Sequence, residues 1–528
     1  MPRLFLFLLV LAMTGTAFGQ LPVGSKQLAR QSVRLLATGF EGEMAAPVRP
    51  GPMELREPEA SVITLRSPQE GVDLSYIPHE ANRHFGLAVA EVAILEFIPW
   101  ALARYVRTWE HPEDNWARVD ADTWWNNLSK AWEYDGDNFL TNQFAHPYHG
   151  ALFFNAARTN GYSFWESYPF SLAGSALWEF FGETFRPAFN DWVATGTTGA
   201  FFGEGLYRVS SLITDNTATG SERVWREIGG ALVNPVRGFN RLITGETGKQ
   251  FANLPEHDPS SFYPVLSAGV RRLDADGTNL AKDAVTQAVV SLDMYYGSVF
   301  SGDYKTPFSS FQMNIAVAFP NRVKDSTGVL NRLTVHGVLH GWKLSKSENA
   351  SHYLVVDGLY DYWSNPAFEF GQTSVAPDWL SRYRLSETWD LETKIGLRAI
   401  LMGGTPSDYY LDVEGRDYDF GPGVGSRVAA SFIAAGWPVL TLVYTGGWIW
   451  TQSNPSKSKH NFHLGGVGFR YPLSERLSAG LTLAMYWRES FYERGYYESI
   501  SPGPPQPFDD HIARKNPIAQ LTLSYVAW

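Results

Sequence analysis

His146 and His149 stand three residues apart at the start of a Gly-rich helical stretch, HPYHGALFFNAARTNG. Ser171, Ser175, Glu179 and Glu183 then follow at successive spacings of four, which places them on one helical face. Asn190 and Asp191 open the next helix in the manner of an N-cap, and Glu204 and Arg208 are again four apart. Asn155 and Arg158 lie on the helix that begins with the histidines. Imidazole and carboxylate groups on facing helices are how bundles build metal or acid–base sites. His146, His149, Glu179, Glu183, Asp191, Glu204 and Arg158 are therefore the candidate catalytic residues, and the first four are also the candidate metal ligands. No cofactor-binding residues are indicated, and the sequence leaves the cofactor unknown. The plainer reading is a buried network in which Arg158 and Arg208 pair the glutamates, because Glu and Arg are seldom buried alone. No Glu-x-x-His or His-Glu-x-x-His ligand pattern is present.

These segments must be held by helices. SLAGSALWEFFGE and NDWVATGTTGAFFGEGLYRVSSLIT read as two further helices, followed by ERVWREIGGALVNPVRGFNRL. Gly199 and Gly203 form a small-xxx-small pair that lets helix backbones approach closely. Upstream, Phe85 to Val106 is a mostly apolar helix broken by Glu91, Glu96 and Pro99. Carboxylates are costly at a bilayer centre, so this helix is expected to pack on protein or lie at an interface. HPYHGALFFNAARTNG, GSALWEFFGE, the Asn190-Asp191 run and NPVRGFNRL resemble a bacterial family known only as a domain of unknown function, over residues 138 to 250. RDYDFGPGVG (416–425) resembles a further part of that pattern. The resemblance implies no activity.

After about residue 260 the period changes from helical to two. Phe311, Met313, Ile315, Val317 and Phe319 alternate with small or polar residues. Leu477 to Trp487 repeats the pattern, and Trp389, Leu391, Ile395, Leu397 and Leu401 oppose Asp390, Glu392, Lys394 and Arg398. Strands of this length can cross a bilayer at a tilt. The spacing predicts about 12 antiparallel strands closing a membrane β-barrel behind a small α-helical domain. Asp293, Asp357, Asp361, Asp390, Glu392, Lys394, Arg398 and Arg488 would face the lumen, as a polar pore or as an ion-paired plug. His336, His340 and His352, with Ser345, Ser347 and Ser351 nearby, would suit a rim hydrolase, but no His-x-Ser-Asn arrangement accompanies them. A soluble β-sandwich also alternates, though its strands are shorter.

Composition supports the barrel. Aromatic residues make up 15% and Gly numbers 48, yet the mean hydropathy is only −0.19. Alternation of apolar-out with polar-in keeps the average near neutral. A formal charge of −11 argues against nucleic acid as a partner. Arg3, the apolar run Leu4 to Met13 and Ala17-Phe18-Gly19 form a secretory signal cleaved after Gly19. The expected organisation is a signal peptide at 1–19, an extended lead-in at 20–84, a helical domain at 85–250 and a barrel at 260–528. LTLSYVAW, ending in Trp528, resembles the closing strand by which barrels are recognised for assembly, although Leu521, Leu523 and Tyr525 are out of phase with Trp528. These features predict export to the outer membrane of a Gram-negative-type bacterium, with membrane lipid and the barrel assembly machinery as partners. The expected role is non-enzymatic: passage of lipid or hydrophobic molecules, or membrane organisation. A membrane-embedded hydrolase using the His146/His149/Glu179/Glu183 set is the alternative, and a narrow solute pore the third.

Overall fold

The computed structural model describes residues 72–109, 111, 115–274, 280–281, 284–302, 304–320, 330–410, 416–453, 457–494 and 508–527. The signal peptide, most of the lead-in and the terminal Trp528 lie outside them.

Twelve strands among the described residues close a barrel: β1 (Phe262–Leu273), β2 (Val285–Tyr296), β3 (Phe311–Pro320), β4 (Leu330–Lys346), β5 (Ala350–Ser364), β6 (Glu369–Arg384), β7 (Trp389–Pro406), β8 (Tyr418–Ala434), β9 (Trp437–Trp450), β10 (Ser458–Pro472), β11 (Leu477–Tyr492) and β12 (His511–Val526). Each pairs antiparallel with its sequence neighbours, and β12 closes on β1 from Val265↔Val526 to Leu273↔Ile518. Closure leaves no strand edge unpaired, which a barrel in lipid requires. The chain enters at Phe262 and leaves at Val526 on the same end. Connections there are short (347–349, 385–388, 435–436, 473–476) except for 297–310. The opposite end carries longer ones at 407–417, 451–457 and 493–510.

Alternation decides which face each side chain takes. On β7, Ile395, Leu397 and Leu401 point outward and exposed, while Lys394 and Arg398 point inward. Leu481, Leu483 and Met485 on β11 and Leu521 and Leu523 on β12 continue the apolar belt. This is the lipid-facing wall of a membrane β-barrel.

Around β2 to β8 the wall is covered instead by helices. These are α1 (Phe85–Ala101), α2 (Ala121–Lys130), α3 (His146–Arg158), α4 (Phe164–Leu177), α5 (Phe189–Val193), α6 (Gly199–Ile213), α7 (Gly220–Val233) and α8 (Pro235–Ile243). Single π-helical turns extend α1 to Val106, lead into α3 (Thr141–Ala145), follow α4 (Trp178–Gly182) and join α5 to α6 (Ala194–Thr198). α4 begins on a capping box between Ser163 and Glu166. Asn190 and Asp191 lie within the first turn of α5, and the cap position is Ala188, so the expected N-cap role is corrected. The last part of the lead-in is folded onto the bundle, where Glu80 pairs with Arg237 at 2.7 Å.

α3 and α6 run parallel in close contact, with Gly150 against Thr195 and Gly199, and Gly203 against Phe154. α6 in turn lies across the barrel wall. Thr198 meets Thr373 on β6, Phe201 covers Gly358 on β5, and Gly205 meets Met313 and Val335 on β3 and β4. At its far end Arg208 donates to Tyr296 of β2 (3.3 Å) and to the Pro307 carbonyl (2.8 Å). Helices and wall thus share one apolar core that includes Phe154, Phe201, Leu206, Met313, Val335, Tyr360 and Tyr362. α1 is mostly exposed, burying only Ala88, Glu91 and Val92. Of the two placements expected for this helix, packed on protein or at an interface, it shows little of the first and offers most of its apolar surface outward.

The lumen is filled. Toward the long connections, Phe368 stacks on Tyr486 at 4.1 Å, Phe370 meets Phe462 at 4.7 Å, and Ile400, Ile449 and Ile518 complete the layer. Below it, Arg398 pairs with Asp361 (3.4 Å) and Lys394 bridges Asp357 (2.5 Å) and Asp378 (2.8 Å). Arg488 binds Asp408 at 2.7 Å. The inward-facing charges form an ion-paired plug, and a cavity of about 430 Å³ remains toward the end where the chain enters and leaves.

A Cβ at Gly150 would fall 1.7 Å from the Thr195 carbonyl oxygen, which is backbone and cannot yield. Gly150→Val is expected to cost more than the ~1–3 kcal/mol of ordinary overpacking. Limited proteolysis should then cut the helical segment in the variant, while the barrel keeps its heat-dependent gel mobility.

Candidate functional site

Where α3, α4 and α5 come together at the long-connection end of the wall, four acidic groups surround one imidazole. Asp135 and Asp137 precede the π-turn that leads into His146, Glu179 sits in the π-turn after α4, and Asp191 lies just before the π-turn into α6. Single π-turns rotate side chains out of helical phase and are frequent at functional sites. One acidic or imidazole ligand atom from each of Asp135, His146 and Asp191 lies within 4.8 Å of the others. His146 Nε2 is 3.7 Å from Asp137 Oδ2 and 3.7 Å from Asp191 Oδ1.

Two asparagines orient the carboxylates. Asn142 Nδ2 and Asn190 Nδ2 each donate to Asp135 Oδ1 at 2.8 Å, and Asn190 Nδ2 also reaches Asp191 Oδ1 at 2.8 Å. Glu179 accepts the Ala188 N–H at 2.7 Å. The barrel contributes directly. Asn142 Nδ2 also donates to the Tyr418 hydroxyl at 2.7 Å, and Arg416 donates to the Asp135 carbonyl.

The cluster lies at the rim, outside the spanning strands. Burial is the main cause that raises the carboxyls of Asp135, Glu183 and Asp191 above their ordinary range, and repulsion among them adds to it. Burial likewise pushes Glu179 up to about 8, against the Ala188 hydrogen bond. Burial alone would depress His146, but Asp137, Asp135 and Glu179 outweigh it and leave it raised. So much buried negative charge has two physical remedies: protons shared among the carboxyls, or a cation.

The structure thus brings together His146, Glu179 and Asp191 from the predicted set, with Glu183 as an electrostatic neighbour. The other candidates lie elsewhere. His149 turns away, its Nε2 3.3 Å from the Leu95 carbonyl and its ring against Phe153 and Trp178. Three residues along a helix fall about 60° short of a full turn, and that offset points the two rings at different neighbours. Glu204 and Arg158 belong to a separate network nearer the other end of α3 and α6. There Glu204 binds Arg158 and Arg208 at 2.8 Å each, and Arg158 reaches Glu256 at 3.2 Å. Asp135, Asp137 and Asn142 were missed by sequence reasoning, though the acidic pair Asp135-Gly136-Asp137 just upstream of His146 was a usable signal.

The barrel histidines do not form a rim site. His336 is in the lumen on Asp361 (2.6 Å), His340 stands on the outer face beside Trp342, and His352 contacts Ser381 (2.8 Å). A Ser490–His460–Asp419 relay, with both contacts at 2.9 Å, also escaped sequence reasoning. All three residues are fully buried in the lumen wall, so the relay ties strands together and has no face open to substrate.

Fold and site together define a membrane β-barrel that carries a helical domain with a buried His–carboxylate cluster at its rim. Residues 131–236, which contain that cluster, match the family model of a Domain of unknown function (DUF3943). No curated protein matches the chain. Among solved structures, the anion-selective porin from Comamonas acidovorans is 8% identical, over 51% of this chain and 99% of its own, with a TM-score of 0.20. The toluene transporter TodX from Pseudomonas putida is 7% identical, over 51% and 90%, at 0.21. An outer membrane channel from Pseudomonas putida F1 is 11% identical, over 51% and 96%, at 0.26. At TM-scores this low none of these likenesses bears on function.

Glu204 is wholly buried between two guanidinium groups. Glu204→Gln should destabilise the bundle by about 3 kcal/mol, because it leaves buried positive charge without its counter-charge. A lowered melting temperature of the helical circular dichroism signal checks it.

Proposed function

We propose that the protein is a non-enzymatic component of the outer membrane of a Gram-negative-type envelope. In this reading the filled barrel is an anchor, and the flanking bundle of α1, α3, α4 and α6 sits in the same bilayer and handles lipid or other apolar molecules. The observation that carries it is the outward surface of that bundle. Helices cover wall that a barrel would otherwise give to lipid, and they present apolar groups again: Phe85, Ile94, Phe97, Ile98 and Leu102 on α1 and its extension, and Leu177 and Phe181 on or just after α4. α1 with its extension, Phe85–Val106, is long and apolar enough to cross a membrane. Smaller helices at the two ends also expose apolar residues, Trp124, Trp125 and Leu128 on α2 and Phe239, Leu242 and Ile243 on α8, as interfacial helices do. The alternative hydrolase reading would have to rest on His146, Glu179 and Asp191, since His149 faces other neighbours.

The chain has no Cys, so single-Cys spin labels report cleanly. Labels at Val89 and Phe97 in proteoliposomes should be oxygen-accessible and shielded from a water-soluble nickel complex, like a label at Leu397 on the bare wall. Nickel accessibility resembling that of the exposed turn residue Glu348 would place the bundle in water and end this reading.

The filled lumen makes a separate prediction. The folded protein should give no stepwise ion conductance in planar bilayers, whereas Phe370→Ala combined with Tyr486→Ala should raise it. Porin-like conductance of the wild type would contradict the anchor role.

A further inference from the structure

The cluster at the rim contains an internal comparison. Two other His–Asp pairs in this molecule are in direct hydrogen-bonding contact, His336 with Asp361 at 2.6 Å and His460 with Asp419 at 2.9 Å. His146 is different. One of its ring nitrogens has an Asp135 ligand atom within 4.8 Å. Its Nε2 is buried, has no hydrogen-bond partner, and stands 3.7 Å from Asp137 Oδ2 and 3.7 Å from Asp191 Oδ1. That is too long for a hydrogen bond. It is close to the separation of two ligands on one tetrahedral ion, which is about 3.4 Å for metal–ligand bonds of about 2.1 Å.

The surroundings point the same way. Asn142, only 1% exposed, ends its amide in the cluster, with Nδ2 on Asp135 and an Oδ1 that has no partner. Asn190 bridges Asp135 and Asp191 from behind, as groups that orient metal ligands do. Three π-helical turns converge on the same point.

We infer that His146 Nε2 and the carboxylates of Asp135, Asp137 and Asp191 bind a first-row transition dication of the Zn²⁺ class. One imidazole among oxygen donors suits Zn²⁺ better than Ca²⁺ or Mg²⁺, which prefer oxygen alone. The ion would tie the chain before α3 to the start of α5 and, through Asn142 and Tyr418, to the barrel wall. This inference is independent of whether the bundle handles lipid.

The test uses the full chain in detergent, stripped with a chelator and titrated with Zn²⁺ alone against a chromophoric competitor. Wild type should take up one Zn²⁺ per chain, and His146→Ala should abolish uptake. Asn142→Ala should weaken it about 10-fold or more, as loss of a ligand-orienting group does. His149→Ala, which alters only the neighbouring ring, should bind as wild type. Should His146→Ala fail to fold, as judged by gel mobility, the near-isosteric Asp191→Asn replaces it, with the same loss expected. Stripped wild type that takes up no zinc would overturn the inference, leaving a cluster that shares protons only. So would undiminished uptake in folded His146→Ala or Asp191→Asn, or equal displacement of Zn²⁺ by Ca²⁺.

Discussion

The contact on which the rest of the molecule depends is that of α6 with the outer wall of the barrel. A barrel in lipid needs no protein on its outer face, since the bilayer covers apolar side chains as well as a helix does. What favours the helix here is shape. Phe201 fills the depression left by Gly358, the missing side chain at Gly205 admits Met313 and Val335, and Thr198 meets Thr373. Lipid tails cannot match such fixed complementarity. Once α6 is seated, α3 is drawn against it through Gly150, Gly199 and Gly203, and α4 closes over both, with the Ser171 hydroxyl donating to the Gly150 and Thr195 carbonyls.

The polar groups follow from that seating. Parallel packing of α3 and α6 puts Arg158 beside Glu204 at one end and His146 near Asp191 at the other. The first is a balanced set of charges, two guanidiniums to two carboxylates. The second is unbalanced, with acidic groups far outnumbering the imidazole. Similar residue types, at the two ends of one helix pair, thus have different electrostatic characters.

The barrel was the more legible part of the chain. Strict alternation over long strands, as from Leu477 to Trp487, leaves one arrangement of faces, but whether the charged residues opposite them line a pore or pair into a plug was not legible from it. The bundle was less legible because its helices are apolar around most of their circumference. Periodicity then cannot say which side meets the wall, so α1 was left between packing on protein and lying at an interface, and it is largely bare. The cluster was half visible. His146, Glu179 and Asp191 could be picked out by type, but the π-turns shift the phase that spacing arguments assume. His149 lies on the same regular helix as His146 but points at Leu95, Phe153 and Trp178, and Asp135 and Asp137, which lie outside any helix, were passed over. The link from Asn142 to Tyr418 could not be read from spacing at all, since the two are 276 residues apart.

That distance along the chain has a kinetic meaning. The helices precede the barrel in sequence, yet the surface that seats them is made of strands β2 to β8, which are synthesised afterwards. Contacts between such remote segments form late, because the intervening chain must first be ordered. Until those strands have closed into a wall, the side of α6 that carries Phe201 and Gly205 has no partner from its own chain. The bundle therefore completes its folding only after the barrel does, and the half of the molecule that comes first in sequence is the last to settle.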